Sequence, residues 1–205
     1  MAYRKPEQGF FDFGDPPQAP PPPPRRQGPL PDNLYFAVLP DGDTAPQIVS
    51  VAGELRCRHA LSGRVRPAEL LHISLAAIGG FHGLPEAAVA AAKHIGGKVR
   101  AAPFKVTFSR ASSFMAKERR PLVLRCGEGA AQLQVLRRTL GSTLGLDASA
   151  LRYFTPHITL MYDRQPIPDT DLDEPITWTV RDFVLVHSLY GRSRHRHLAQ
   201  WHLDG

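Results

Sequence analysis

The chain has 205 residues, 42% of them hydrophobic, with 20 prolines, two cysteines and a formal charge of +6. That length and apolar content can bury one core, and Cys57 and Cys126 are too few for a disulfide framework or a cysteine-built zinc site. No run of about 18 apolar residues is present, as a membrane-spanning helix would need, and Met1-Ala2-Tyr3-Arg4-Lys5-Pro6 lacks the apolar stretch of a secretory signal. A cytoplasmic protein with no membrane partner is expected.

Ten of the prolines fall in residues 1–31, including the run Pro20 to Pro24 followed by Arg25-Arg26. This composition predicts a disordered tail over 1–31 that samples polyproline II, with a polyproline-binding protein as its one conceivable partner. Residues 32–205 form the folded domain. The tail is nearly neutral, so the positive charge belongs to the domain. No acid lies between Glu86 and Glu118, and a second basic cluster runs Arg192, Arg194, Arg196 with His195 and His197 interleaved. Such asymmetry favours an anionic partner, although a merely basic surface is the commoner reason for it.

In chain order, Leu34 to Leu39 is an apolar run of strand formers, closed by the turn Pro40-Asp41-Gly42-Asp43. Thr44 then caps a helix to about Ala60, with Pro46 tolerated in its first turn. A strand over Leu70 to Ile78 precedes an alanine-rich helix, Leu84 to Ile95, which stops at Gly96-Gly97. Phe104 to Arg110 and Leu122 to Arg125 alternate with period two, as antiparallel neighbours flanking a loop over Ala111 to Arg120. A third helix, Ala130 to Leu144, carries the stripe Leu133, Leu136, Leu140, Leu144 and ends at Gly145. Four strands close the chain: His157 to Tyr162, Ile176 to Val180, Phe183 to Leu189 and His197 to Leu203. Eight strands with short connections and three helices predict an α+β fold with mainly antiparallel sheets. No strand is followed by a phosphate-cradling glycine pattern, so no nucleotide cofactor is expected.

Two segments repeat one pattern. Leu71-His72-Ile73-Ser74-Leu75 and Pro156-His157-Ile158-Thr159-Leu160 both read histidine, apolar, hydroxyl, apolar, at or near the start of a predicted strand. Alternate side chains of a strand face the same way, so His72 and Ser74 share one face, and His157 and Thr159 share another. Two half-buried histidines bonded to their neighbours would be the structural alternative. Imidazole titrates near pH ~6.5, so one ring can accept a proton while the other delivers one. The hydroxyls can donate to non-bridging oxygens as charge builds on a phosphodiester. This chemistry calls for no metal.

The pair of histidine–hydroxyl motifs resembles the signature of the 2H phosphoesterase superfamily. The likeness is to the bacterial RNA 2′,3′-cyclic phosphodiesterases, also named 2′-5′ RNA ligases, and it extends over nearly all of residues 33–205, including Phe183 to Ser188 and the closing Trp201-His202-Leu203. It implies two pseudo-symmetric lobes flanking a cleft, one motif from each. The implied activity is hydrolysis of a 2′,3′-cyclic phosphate to a 2′-phosphate, on RNA ends or small cyclic nucleotides, or reversible 2′-5′ ligation. By the same likeness His72 protonates the leaving oxygen, His157 activates water, and Ser74 and Thr159 hold the phosphate. Two departures stand out: Ser74 occupies a position more often threonine, and Tyr162 one where many members carry arginine, with Arg164 nearby as a substitute.

Other candidate substrate-binding residues are Phe114, an aromatic in a basic loop, and His195, expected on the cleft side of the last strand. His195 and His197 share a strand face without a third ligand for a metal. His59, His82, His94, His187 and His202 are expected at the surface or as caps, and Arg137-Arg138 on a solvated helix face. Two other functions remain open: an RNA-binding module without catalysis, and a 2H-type phosphodiesterase for a non-RNA cyclic phosphate such as an ADP-ribose derivative.

Overall fold

A computed structural model describes residues 31–116 and 118–204; the proline-rich tail over 1–30 lies outside them. The chain runs β1 (Asp32–Val38), α1 (Thr44–Arg58), a 3₁₀ turn (Ala68–Leu70), β2 (Ile73–Phe81), α2 (Glu86–Gly96), β3 (Phe104–Ser113), β4 (Arg120–Cys126), α3 (Ala130–Thr143), α4 (Ala148–Arg152), β5 (His157–Asp163), β6 (Thr170–Val180), β7 (Asp182–Leu189) and β8 (Arg194–His202). The strands form two four-stranded sheets, ordered β2-β1-β7-β8 and β5-β4-β3-β6. Every pairing in both is antiparallel, so the fold is α+β with one sheet in each lobe.

The strand orders have a direct consequence for the site. β2, which follows His72, and β5, which opens with His157, are each an edge strand of their sheet, and they approach one another where the lobes meet. Behind them one continuous core joins the lobes through Leu34, Phe36, Ile73, Leu75, Ile158 and Leu160. The helices knit the halves together, since α1 lies against β5 and β6 while α3 lies against β2. Phe108 stacks on Trp178 in one sheet, with centroids 5.2 Å apart, and Phe183 on Trp201 in the other at 5.0 Å.

Several expectations change. β6 begins at Thr170 rather than Ile176, running through Pro175. Proline has no N–H to offer a ladder, but β6 is an edge strand paired only with β3, where that loss is tolerated. β3 continues to Ser113 and β8 starts at Arg194, so both are longer than alternation alone indicates. The short helix α4 has no counterpart among the expected elements; five residues carry too little periodicity to declare themselves. Thr44 is the first residue of α1 rather than its cap, and its N–H donates to Asp41 Oδ1 at 2.8 Å.

Gly129, which opens α3, has φ 83°, a left-handed conformation that costs an L-residue about 1–2 kcal/mol. A β-carbon there would also strike the Lys105 carbonyl and the Val106 side chain. Gly129→Ala is expected to destabilise the fold by about 2 kcal/mol or more, read as a lowered urea midpoint. An unchanged midpoint would contradict this placement.

Candidate active site

The two motifs have one local geometry. In each, the middle apolar residue and the one after the hydroxyl are buried (Ile73 and Leu75, Ile158 and Leu160) and fix the strand against the core. The histidine and hydroxyl therefore project the other way, and His72, Ser74, His157 and Thr159 all line one cleft of about 750 Å³ between the lobes.

His72 Nδ1 lies 2.9 Å from the Leu70 carbonyl, and His157 Nδ1 lies 2.7 Å from the Thr155 carbonyl. A carbonyl only accepts, so Nδ1 must carry the hydrogen in both rings. The partner is the residue two before the histidine in each case. Each ring is thereby fixed in orientation and tautomer, and each leaves Nε2 free to exchange a proton.

The surroundings of His72 are unusual. Its ring lies 5.2 Å from Tyr35 and 5.0 Å from His195, the latter edge-on. Burial, with Arg66 and the neighbouring histidines adding positive potential, pushes His72 down to about 4. Burial does the same to His195, again to about 4, with His72 and Arg66 beside it. Tyr35, whose hydroxyl is 3.4 Å from His195 Nε2, is pushed up to about 12 by burial. Beside these neutral rings stands one cation that raises the local positive potential. That cation, Arg66, sits in the segment between α1 and β2 and is absent from the candidates that the sequence offers. Nothing local marks it among 25 lysines and arginines, and only the fold brings it to the cleft.

The remaining candidates divide. His195 and Tyr162 line the cleft, whereas Arg164 and Phe114 do not. The Asp163 carboxylate accepts the Gln165 N–H at 2.8 Å, turning the chain at the end of β5 and leaving the Arg164 side chain exposed. Phe114 meets the site through His157, ring to ring at 4.8 Å. Two assignments need correction. Arg137 is not on a solvated face: its guanidinium donates to the Leu75 carbonyl and to the Ala150 carbonyl, covers the Phe154 ring and borders the cleft. His187 is not at the surface: it is 7% exposed on β7, with Nε2 3.0 Å from Asp32 Oδ2. Asp32 Oδ1 also accepts the Tyr190 N–H at 2.8 Å, which ties down the chain where Tyr190 reaches the cleft rim.

The model of the 2′-5′ RNA ligase superfamily matches residues 43–192. The chain belongs to that superfamily. Among solved structures it resembles Escherichia coli LigT in complex with NADP+, at 26% identity over 84% of this chain and 98% of LigT, with a TM-score of 0.65. It also resembles LigT complexed with 3′-AMP, at 25% identity over 86% of this chain and 99% of LigT, with a TM-score of 0.63. A protein of Thermus thermophilus shares the fold, at 22% identity over 84% of this chain and 98% of its own, with a TM-score of 0.67. No curated protein matches the chain by sequence. Membership of this phosphoesterase and ligase superfamily agrees with the two-lobed arrangement of β2 and β5. Among the described residues no helix is long and apolar enough to cross a membrane.

The depressed histidines have a cost in acid. Both His72 and His195 are held below the ordinary imidazole value of 6.5, so between pH 6.5 and about 4 the unfolded chain binds more protons than the folded one. Stability is therefore present above pH 6.5 and falls as pH drops through that window. His195→Phe is expected to shrink the loss of urea midpoint between pH 7 and pH 5. A loss as large as in the wild type would contradict the placement of His195.

Proposed function

We propose that the cleft hydrolyses 2′,3′-cyclic phosphodiesters, at RNA ends or on small cyclic nucleotides, to 2′-phosphates by two-histidine acid–base catalysis. The observation that carries this reading is the matched pair of imidazoles, each with Nδ1 committed to a carbonyl and Nε2 free on one cleft. Water attacks phosphorus as its proton passes to His157 Nε2. The phosphorus–O3′ bond breaks as His72 Nε2 delivers a proton to O3′, leaving a 2′-phosphate and a 3′-hydroxyl. Ser74 and Thr159 donate to the non-bridging oxygens, where charge accumulates. With a 5′-hydroxyl in place of water, the same step forms a 2′-5′ linkage, His157 taking the hydroxyl proton and His72 protonating O3′, and the roles exchange when that linkage is cleaved.

The reactive state holds one proton between the two histidines. His72 is neutral in the empty cleft at pH 7, and the charge of an arriving diester raises its proton affinity and loads the acid. Binding alone would call for cations, and the two aligned, neutral-capable imidazoles favour catalysis over an RNA-binding module. LigT has been crystallised with 3′-AMP, ATP and NADP+, which supports small nucleotides alongside RNA ends as ligands. A domain over 32–205 that works in the cytoplasm, with the tail 1–31 as an appendage, completes the proposal.

Incubation with nucleoside 2′,3′-cyclic monophosphates is expected to yield the 2′-monophosphate, with turnover persisting in chelator. His72→Ala and His157→Ala should each lower kcat by roughly 10²- to 10⁴-fold; retained turnover in either would sink the mechanism. The pH profile of kcat/KM should be bell-shaped with its acidic limb near pH 4, where His72 titrates in the free protein. An acidic limb near the ordinary imidazole value would count against the buried geometry.

A further inference from the structure

Two arginines line the cleft; Arg137 donates to the Leu75 and Ala150 carbonyls, whereas the Arg66 guanidinium has no hydrogen-bond partner among the described residues. The Arg66 side chain lines the cleft with His72, Ser74, His157 and Thr159. Its Nε is buried and has no hydrogen-bond partner, and among the described residues no carboxylate pairs with it. A buried guanidinium nitrogen without an acceptor is costly unless a ligand supplies one.

The backbone is held as firmly as the side chain is unengaged. The Arg66 N–H donates to the Leu160 carbonyl at 2.8 Å, on the open edge of β5 and next to Thr159. Three residues earlier the Gly63 N–H donates to Asp163 Oδ2 at 2.6 Å, and the Ser62 hydroxyl reaches the same oxygen at 3.3 Å. A β-carbon on Gly63 would come within 2.6 Å of the Tyr162 carbonyl, so only glycine lets the segment lie this close to β5. Pro67 follows, which biases residue 66 to extended backbone, and six residues after Arg66 the chain arrives at His72. The segment is thus docked on one motif strand and continuous with the other.

From this we infer that Arg66 is the phosphate-gripping cation of the cleft, its guanidinium fork engaging the non-bridging oxygens between the two histidine–hydroxyl pairs. The inference rests on the proposed phosphodiester site. It also accounts for the sequence at 162 and 164. Tyr162 lines the cleft without charge, Arg164 is turned away by the Asp163 cap, and Asp163 is the same carboxylate that seats the Arg66 segment. A planar, always-charged fork suits two oxygens of one phosphate, and lysine would supply charge without the second bond.

The test is calorimetric titration of wild type, Arg66→Gln and Arg66→Lys with adenosine 2′-monophosphate, and with adenosine as the uncharged control. Arg66→Gln keeps the backbone bond to Leu160, so the fold should hold, as checked by an unchanged thermal midpoint. Arg66→Gln is expected to weaken binding of the monophosphate roughly ten- to hundredfold while leaving adenosine unaffected, with Arg66→Lys in between. Equal monophosphate affinity in wild type and Arg66→Gln, or an equal loss for adenosine, overturns the inference. Because the readout is binding, it separates this claim from the hydrolytic one: a cleft that grips phosphate through Arg66 yet turns over no cyclic nucleotide refutes only the latter.

Discussion

An imidazole can work at one nitrogen only when the other is committed, and both rings of this cleft meet that condition in the same way. Each Nδ1–H is held by the carbonyl two residues back along its own chain. That bond is available because the histidine stands at the entry to a strand, where the preceding residues bend out of the sheet and their carbonyls are not taken by a neighbouring strand. The rest follows from strand geometry. Buried Ile73 and Leu75, or Ile158 and Leu160, anchor the inward face, so the imidazole and hydroxyl share the outward one. Because β2 and β5 are edge strands of different sheets, their outward faces meet in one cleft instead of being covered by another strand.

The electrostatic character of the cleft comes from burial more than from charge. His72, His195 and Tyr35 form an aromatic cluster that water reaches poorly, and burial is the main reason both histidines lose their protons and the phenol keeps its own. A neutral, low-dielectric wall strengthens whatever charges remain. The guanidinium of Arg66 is the charge placed to benefit, and a bound phosphodiester would be its counterpart. Asp163 contributes at a distance, since its carboxylate seats the backbone that carries Arg66 and takes no part in the cleft itself.

Much of this was legible in the sequence because it depends on alternation. The period-two pattern around His72 and His157 specifies which side chains are buried, and the strand identities follow from it. What alternation could not show were contacts made across the chain. Arg66 reads as one basic residue among many until β5 accepts its backbone. Arg137 sits on a helix whose leucine stripe is plain, yet its guanidinium is drawn to the Leu75 carbonyl and the Phe154 ring in a way the helix pattern does not encode. His187 carries no motif, and its burial against Asp32 depends on β1 and β7 pairing. The start of β6 was hidden by Pro175, which stops a strand only where both edges are paired.

The central claim is that one histidine from each lobe addresses the same phosphate. It is tested most directly by following the imidazole nitrogens of the labelled protein by NMR during titration with a nucleoside 2′-monophosphate. The account predicts that the Nε2 signals of His72 and His157 shift together along a single binding isotherm while both Nδ1 atoms stay protonated. A response from only one of the two rings, or from neither, would contradict it.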